Sequence, residues 1–256
     1  MRIGMDYHIH TFYQRCGNET LTVPNVIRKA EERKLSSIAI TDHLNSLNQL
    51  ERFPYIRQDI ADVKTDVEVY FGVELNYDAC DGEFAYTEAI HEEHGFEVVI
   101  GGIHSTYTES QDMREVLAIQ HRHFMRTLNN PLLDVLVHPF WFGGGEVRAR
   151  SPEWWEQLIL SIPDDMLHEW AEASVRNRCA IELNVSAIFY YSEMSPGFKA
   201  NYIEMVDHLK DAGALFSVAS DAHDISQLGG TDYVEGLLHG LRVPTDQVWR
   251  PQRRCT

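Results

Sequence analysis

Histidines and carboxylates stand at the ends of apolar runs along this chain. They recur at six places, as His8 and His10, Asp42 and His43, Glu74, His104, His138, and Asp221 and His223. Neutral imidazoles and carboxylates are the ligands that zinc, manganese and iron accept in proteins. If the six places converge in the folded chain, they form a site for several metal ions, and the chemistry is metal-assisted hydrolysis.

The first of these places is a His-x-His pair, His8-Ile9-His10, at the end of a short apolar run. Alternate residues of a regular strand share a face, so both imidazoles could bind one ion. One such pair often arises by chance, and any single histidine could be a core or surface residue bonded to the backbone. The recurrence of donors after five further apolar runs argues against that interpretation for the whole set.

The apolar runs alternate with helical patterns, which indicates how the donors are positioned. Predicted strands lie at 3–7, 37–41, 67–73, 98–103, 133–137, 179–184 and 215–219. Predicted helices lie at 23–34, 84–94, 113–128, 153–178 with an interruption at Pro163, 201–212 and 233–241, and 47–64 is partly helical. Such alternation favours right-handed crossovers and a parallel α/β sheet covered by helices. If the sheet closes into a barrel, its active site is expected at the carboxyl ends of the strands.

The length of 256 residues suits one barrel, and we expect a single domain over 1–256, without internal repeats or linkers. The glycine run 143–145 is expected to form a mobile loop at the mouth of the site. The tail from about Pro244 is expected to be peripheral.

A formal net charge of -17 argues against a face that binds long nucleic acid or an anionic membrane. An anionic substrate stays open, because bound metal ions reverse the local field. The cysteines show no CxxC spacing, which disfavours a zinc ribbon or a thioredoxin-like site; they are Cys16, Cys80, Cys179 and Cys255. No signal-peptide pattern and no apolar run near ~18 residues is present, so a cytoplasmic enzyme is expected.

The ordered motifs resemble those of the polymerase and histidinol phosphatase (PHP) family of metal-dependent phosphoesterases. They are His8-Ile9-His10-Thr11, Ile40-Thr41-Asp42-His43, Gly72-Val73-Glu74, Gly102-Ile103-His104-Ser105, Val137-His138-Pro139 and Ser220-Asp221-Ala222-His223. The stretch from Glu74 through Asp81-Gly82-Glu83 to His104 resembles the histidinol-phosphatase branch. The resemblance implies a distorted seven-stranded, TIM-like βα barrel with two or three divalent metal ions, zinc, manganese or iron.

The resemblance also implies how the ligands are shared. The first metal would take His8, His10, Glu74 and Asp221, and Glu74 would bridge to a second metal held by His104 and His138. A third metal would take His43 and His223. Much of the family completes that third site with a histidine or aspartate shortly after the first motif, and residues 11–19 contain neither. Cys16 stands near that position, as a thiolate ligand or a buried structural cysteine, and Asn18 or Glu19 could substitute.

The implied mechanism is in-line attack on phosphorus by a metal-bridging hydroxide, formed from a water whose pKa falls towards ~7. His43 and His223 are catalytic candidates. Asp42 could orient His43 or relay a proton, or it could instead cap a helix or brace a loop. Arg15 and Arg148 are candidates for binding the substrate phosphate, and each could equally be a solvated surface arginine.

The function expected from these features is hydrolysis of a small phosphorylated metabolite, with histidinol phosphate as the first candidate. The alternative within the same fold is a phosphodiesterase or exonuclease that acts on nucleotides or short oligonucleotides. An amidohydrolase barrel normally needs a metal-bridging lysine where this chain has Glu74. A further interpretation is a protein that binds metal without catalysing a reaction. Only the missing histidine or aspartate of the third metal site supports it. The sequence leaves the oligomeric state open.

Overall fold

The computed structural model describes residues 3–14, 17–76 and 86–252. Within them, the strands are β1 Met5–Ile9, β2 Ser37–Ile40, β3 His43–Leu44, β4 Glu68–Asn76, β5 Val98–Gly102, β6 Val135–Val137, β7 Ala180–Asn184 and β8 Phe216–Ala219. Seven of them pair in the order β1-β2-β4-β5-β6-β7-β8, and every pairing is parallel. The two-residue strand β3 lies beside β4, also parallel to it.

Helices connect the strands, and local sequence signals set many of their ends. They are α1 Val23–Glu32, α2 Phe53–Asp62, α3 Glu88–His94, α4 Met113–Leu128, α5 Gly144–Arg148, α6 Pro152–Leu160, α7 Asp164–Asn177, α8 Pro196–Asp211 and α9 Asp232–Gly240. Thr22, Ser151 and Ser195 cap α1, α6 and α8, each with a proline in the first turn. None of the helices in these residues is both long and apolar enough for a membrane crossing.

The sheet nearly closes into a barrel, because β1 and β8 meet at their carboxyl ends. There the Asp221 N–H donates to the His8 carbonyl at 2.9 Å, and the His10 N–H donates to the Ala222 carbonyl at 3.2 Å. Between the same two strands, a side chain also takes the place of a backbone carbonyl as acceptor. Oδ1 of Asp6 accepts the Ser220 N–H at 2.8 Å. The predicted α/β barrel of seven parallel strands with interleaved helices is confirmed.

The chain after α9 returns to the amino ends of β1 and β8. Val248 pairs with Phe216, and the Trp249 N–H donates to the Phe216 carbonyl at 2.8 Å. The Trp249 indole is 5% exposed and packs edge-on against Tyr7, with ring centroids 5.6 Å apart. The prediction of a peripheral tail was therefore wrong at this point, because the partly open seam leaves apolar surface that the tail covers.

The glycine run after β6 forms a short helix instead of the loop that was predicted. Gly143 takes a φ of +84° and precedes α5, which begins at Gly144. The Glu146 carboxylate, one turn into α5, accepts the Thr106 N–H at 2.9 Å and a hydrogen bond from the Ser105 hydroxyl. This anchoring carboxylate explains why glycines, which favour loops in isolation, continue into a helical turn here.

Candidate metal centre

The predicted donors occupy one end of the barrel, as parallel strand ends require. His8 lies within β1 and Glu74 within β4, which extends beyond the predicted strand to Asn76. His43 begins β3, whose register places it opposite Glu74. The remaining donors lie within four residues after a strand, at His10, His104, His138, Asp221 and His223. The structure therefore brings together every predicted histidine and acid of the metal set.

Glu74 lies at the middle of this cluster, and its Oε2 atom faces imidazoles from β1 and β3. Oε2 is 3.3 Å from Nε2 of His8 and 3.5 Å from Nε2 of His10. It also lies 2.5 Å from Nδ1 of His43. Three imidazoles from two strand ends thus converge on one carboxylate oxygen.

The other oxygen of Glu74 faces imidazoles from the opposite side of the cluster. Oε1 is 3.3 Å from Nε2 of His104 and 3.4 Å from Nε2 of His138. The two oxygens therefore divide the histidines into two groups. This division is the one that a bridging carboxylate between two metal ions requires, because each oxygen can serve one ion.

Asp221 completes the β1 side of the cluster. Its Oδ1 lies 3.1 Å from Nε2 of His10, 3.5 Å from Nε2 of His8 and 3.4 Å from Nδ1 of His223. Asp221 adopts a φ of +54°, a left-handed backbone that is uncommon for a residue with a side chain. Strain of this kind persists where the surroundings fix the residue, which is common at functional sites.

Three overlapping triplets of donor atoms lie within 4.8 Å of one another, and each could hold an ion. They are His8, His10 and Glu74; His43, Glu74 and His104; and His10, His43 and His223. The third triplet combines two residues predicted for a third ion with His10 from the first site. This triplet uses no residue from positions 11–19, but His10 can serve either this ion or the first, because a neutral imidazole binds through one nitrogen.

The residues fit divalent cations, as their unsatisfied polar atoms show. Both carboxylate oxygens of Glu74 and both ring nitrogens of His104 are buried, and none makes a well-aligned hydrogen bond to the described residues, although Nε2 of His104 lies 3.3 Å from Oε1 of Glu74. A buried ionised carboxylate is costly unless it is paired or coordinates a metal. A cation between these atoms would satisfy both sets, so the donor chemistry and the burial agree.

The protonation states of Glu74 and two of the imidazoles also suit metal ligands, whereas at His8 the surrounding carboxylates outweigh burial and raise the pKa well above the ordinary value. Burial, together with neighbouring imidazoles, lowers the pKa of His104 and holds the pKa of His10 well below its ordinary range. Burial alone would raise the pKa of Glu74, but His43 and His8 outweigh it and hold that pKa well below the ordinary value. Two neutral imidazoles and an ionised carboxylate are the forms in which these side chains bind metals.

Comparison with known proteins agrees with this geometry. The model of a family described as the PHP domain matches residues 6–186. The chain belongs to the PHP family. Curated relatives of this PHP chain include a probable phosphatase from Pectobacterium carotovorum, 24% identical over 246 residues, which are 95% of this chain and 88% of the relative. The probable phosphatase YcdX of Escherichia coli K12 is 22% identical with the same coverage.

A crystal structure from Listeria monocytogenes shares the fold of this PHP chain. That protein is provisionally named as the histidinol phosphatase HisK. It superposes with a TM-score of 0.62 and 13% sequence identity, over 90% of this chain and 99% of that chain. At this identity the likeness establishes the architecture, and it agrees with the barrel derived from the strand order.

Glu182 on β7 contacts two histidines of the predicted metal set. The strand-end pattern did not predict this carboxylate as part of the site. Its Oε1 lies 2.8 Å from Nδ1 of His8, and its Oε2 accepts the His138 N–H at 2.7 Å. Asn184, two residues along β7, donates to Glu182 at 2.9 Å and to Asp221 at 3.3 Å. The signal in the sequence was the alternation in Ile181-Glu182-Leu183-Asn184, which puts two polar side chains on one face of a buried strand.

Asp42 contacts the loop after β1. Oδ1 accepts the Thr11 N–H and Oδ2 accepts the Thr11 hydroxyl, both at 2.7 Å. Burial raises the pKa of Asp42 to about 6, although Thr11 opposes the shift. These contacts match the loop-bracing alternative. A catalytic part for Asp42 stays a prediction.

Of the predicted phosphate-binding arginines, Arg148 pairs with an acidic side chain and Arg15 lies outside the described residues. Arg148 is exposed and pairs with Glu193, with Nη1 2.7 Å from Oε1. Arg15 and Cys16 lie outside the described residues, as does the stretch 81–83 that resembled the histidinol-phosphatase branch. The parts of Arg15, Cys16 and Arg148 therefore stay predictions.

A cavity adjoins the centre on the β3 side, where His43 contributes to its wall. Its volume is about 630 Å³, which is in the range of small-molecule sites. Most of its lining is polar, and it comprises Tyr13, Gln14, His43, Asn45, Ser46, Asn48, Gln49, Glu51 and Arg52. We call this space the amide cavity, after its two glutamines and two asparagines.

Proposed function

We propose that this PHP protein is a metal-dependent phosphomonoesterase that acts on a small phosphorylated metabolite, as a histidinol phosphatase does. The observation that carries the proposal is the position of Glu74, whose two oxygens face imidazoles from different sides of the barrel. The names of the curated relatives, which are probable phosphatases, and the fold shared with the HisK protein support it.

The ligands proposed for the ions follow the observed contacts. His8, His10, Glu74 and Asp221 would hold one ion, and Glu74, His104 and His138 a second. His43 and His223 would hold a third, for which His10 is available only if it does not bind the first. Zinc, manganese and iron all suit such donors. When bound, the ions supply Lewis-acid polarisation of the phosphoryl group and an activated water.

The protein's own residues would position these groups and carry protons. Ionised Glu74 and neutral His10 and His104 keep the ligand set fixed before substrate arrives. His43 and His223 are part-exposed at the edge of the cluster, with side-chain exposures of 17% and 36%. In a two-ion form of the centre, we assign to these two imidazoles the exchange of protons with the leaving-group oxygen; in a three-ion form they are ligands instead.

The substrate proposed is small. The amide cavity beside His43 offers about 630 Å³, enough for the alcohol part of a metabolite. The net charge of -17 disfavours long nucleic acid as a partner. Bound cations would attract a phosphomonoester locally in spite of that charge.

The test uses the whole chain, stripped of metal and then loaded separately with manganese, zinc or ferrous iron. Histidinol phosphate, phenyl phosphate and a bis-aryl phosphodiester are compared by phosphate or phenol release. We expect metal-dependent turnover of the monoesters and little of the diester. Faster turnover of the diester would favour the nuclease alternative. Metal binding without turnover of any phosphoester would contradict the proposal and favour a metal-binding protein without catalytic activity.

A further inference from the structure

The amide cavity carries information about the substrate, because hydrogen bonds fix the orientation of its amides. Oε1 of Gln14 accepts the His43 N–H at 3.0 Å, and Oε1 of Gln49 accepts the Asn45 N–H at 2.7 Å. A backbone N–H is always a donor, so the atom that it meets must be the amide oxygen. The NH₂ group of Gln49 is thereby left as a donor for a ligand, whereas that of Gln14 is buried at the cavity wall.

The two asparagines of the cavity contact side-chain groups instead of backbone N–H groups. The carbonyl oxygen of Asn45 accepts from the Asn76 amide, and that of Asn48 accepts from the Ser46 hydroxyl. Gln14 is 4% exposed, and its buried Nε2 meets no hydrogen-bond acceptor among the described residues. A buried donor without a partner is costly, which indicates that an acceptor belongs there.

We propose that the amide cavity binds the alcohol part of the substrate, and that this alcohol is polyhydroxylated, as in a sugar or polyol phosphate. The inference rests on the proposed function and names its substrate class. Amide NH₂ groups require oxygen acceptors, which hydroxyls provide and an ammonium group does not, so within the proposed phosphomonoesterase function the inference favours a polyol phosphate over histidinol phosphate, an amino alcohol ester. The cavity wall carries one acidic and one basic side chain, Glu51 and Arg52, so its lining favours a neutral leaving group. Tyr13, part-buried in the same wall, adds apolar surface beside the amides.

The position of the cavity agrees with this assignment. His43 belongs both to its wall and to the cluster around Glu74, where Nδ1 lies 2.5 Å from Oε2. A phosphoryl group at the centre would therefore place its ester substituent next to the amides. Selection among alcohols would then depend on the amide donors, while the metal ligands act on the phosphoryl group that all substrates share.

The experiment compares three phosphomonoesters on the metal-loaded protein. Glycerol 3-phosphate carries hydroxyls, phosphoethanolamine of similar size carries an ammonium group, and phenyl phosphate carries neither. For the wild type we expect kcat/KM for glycerol 3-phosphate to exceed that for phosphoethanolamine about tenfold or more, the scale of one or two hydrogen bonds.

The decisive variant is Gln49→Glu, which keeps an acceptor oxygen for the Asn45 N–H and replaces the NH₂ donor by an acceptor. We expect the kcat/KM ratio of glycerol 3-phosphate to phenyl phosphate to fall about tenfold, and phosphoethanolamine to gain relative to both. Asn48→Asp, on an exposed residue that keeps the Ser46 contact, should act in the same direction. Gln58→Glu, on the exposed face of α2 outside the cavity, adds the same charge and should leave the ratio unchanged.

Two results would overturn the inference. One is a wild type that prefers phosphoethanolamine; the other is equal loss for glycerol 3-phosphate and phenyl phosphate in Gln49→Glu, as general electrostatic damage predicts. Failure of the proposed function is distinguishable, because the wild type would then hydrolyse none of the three monoesters, phenyl phosphate included.

Discussion

Glu182 connects the side chain of His8 to the backbone of His138. One carboxylate oxygen lies 2.8 Å from Nδ1 of His8, and the other accepts the His138 N–H at 2.7 Å. Glu182 is fully buried, and His138 has a φ of +26°, an unusual backbone that this hydrogen bond holds. His8 and His138 face different oxygens of Glu74. A single carboxylate therefore orients donors on both sides of the centre.

This relationship predicts that Glu182→Gln weakens metal binding without unfolding the barrel. A glutamine has one acceptor oxygen, so it cannot accept from both the His8 ring and the His138 N–H. Outer carboxylates of this kind typically contribute 10- to 100-fold in metal affinity, and we expect a loss of about that size. Calorimetric titration with zinc or manganese measures it. Glu204→Gln, on the exposed side of α8, is the matched control; equal affinities in both variants would contradict the assignment.

The bridging position of Glu74 predicts that Glu74→Ala and His104→Ala each abolish phosphoesterase activity. Loss of a ligand shared by two ions removes several kcal/mol of transition-state stabilisation, which is about 10³-fold or more in kcat/KM. Circular dichroism should still show the folded barrel. His239→Ala, on the exposed face of α9, serves as control. Near-wild-type activity in both variants would exclude the dinuclear assignment.

Removal of metal should lower thermal stability. The cluster gathers the buried carboxylates of Glu74, Glu182 and Asp221, whose negative charges repel one another without a cation. A ligand that binds only the folded state stabilises it by mass action, about 2.7 kcal/mol at a concentration 100-fold above Kd. We expect EDTA to lower the Tm of the wild type by several degrees and to change the Tm of Glu74→Ala much less. Equal shifts in the two proteins would place the stabilising ions elsewhere.

The burial of His123 on α4 leads us to expect a lower free energy of unfolding in mild acid. This histidine is 4% exposed and packs against Tyr107, and burial together with Arg122 and Arg126 lowers its pKa to about 4. The unfolded chain protonates this histidine below about pH 6.5, while the folded chain does not until about pH 4. Stability is therefore lost as the pH falls through that window, by up to about 3 kcal/mol.

His123→Phe removes that titration and should flatten the fall in unfolding free energy between pH 6.5 and 4. Urea denaturation in EDTA measures it without a contribution from bound metal, and the ligand histidines, present in both proteins, contribute equally to the two slopes. His168→Gln, on the exposed side of α7, should retain the wild-type slope. A His123→Phe protein that loses stability as steeply as the wild type would contradict the buried neutral imidazole.

The chain after α9 packs against β1 and β8, so we expect Trp249→Ala to lower the free energy of unfolding strongly. The indole is 5% exposed and packs on Tyr7 of β1, so truncation leaves a cavity at the seam. Truncations of buried aromatic side chains cost about 3–5 kcal/mol, and we expect about 3 kcal/mol in urea unfolding. Gln252→Ala, exposed three residues later, should change stability by less than about 0.5 kcal/mol. A similarly small effect of Trp249→Ala would restore the idea of a peripheral tail.

The sequence by itself determined the strand order and the positions of the predicted metal ligands. Both are local properties: an apolar run predicts a buried strand, and a donor that follows it must lie at the carboxyl end of a parallel sheet. For that reason the sequence alone predicts that the donors from His8 to His223 meet at one end of the sheet. Pro163 likewise separates α6 from α7, because it cannot donate within a helix.

Only the tertiary structure decided the contacts between residues that are far apart in the chain. The burial of His123, the pairing of Glu182 with His8 across 174 positions, and the return of Trp249 to Tyr7 depend on how closed strands and helices pack. The orientation of Gln14 and Gln49 depends on single backbone N–H groups that a residue pattern does not reveal. Periodicity reports which face a side chain takes, whereas its partner is set by the three-dimensional closure of the barrel.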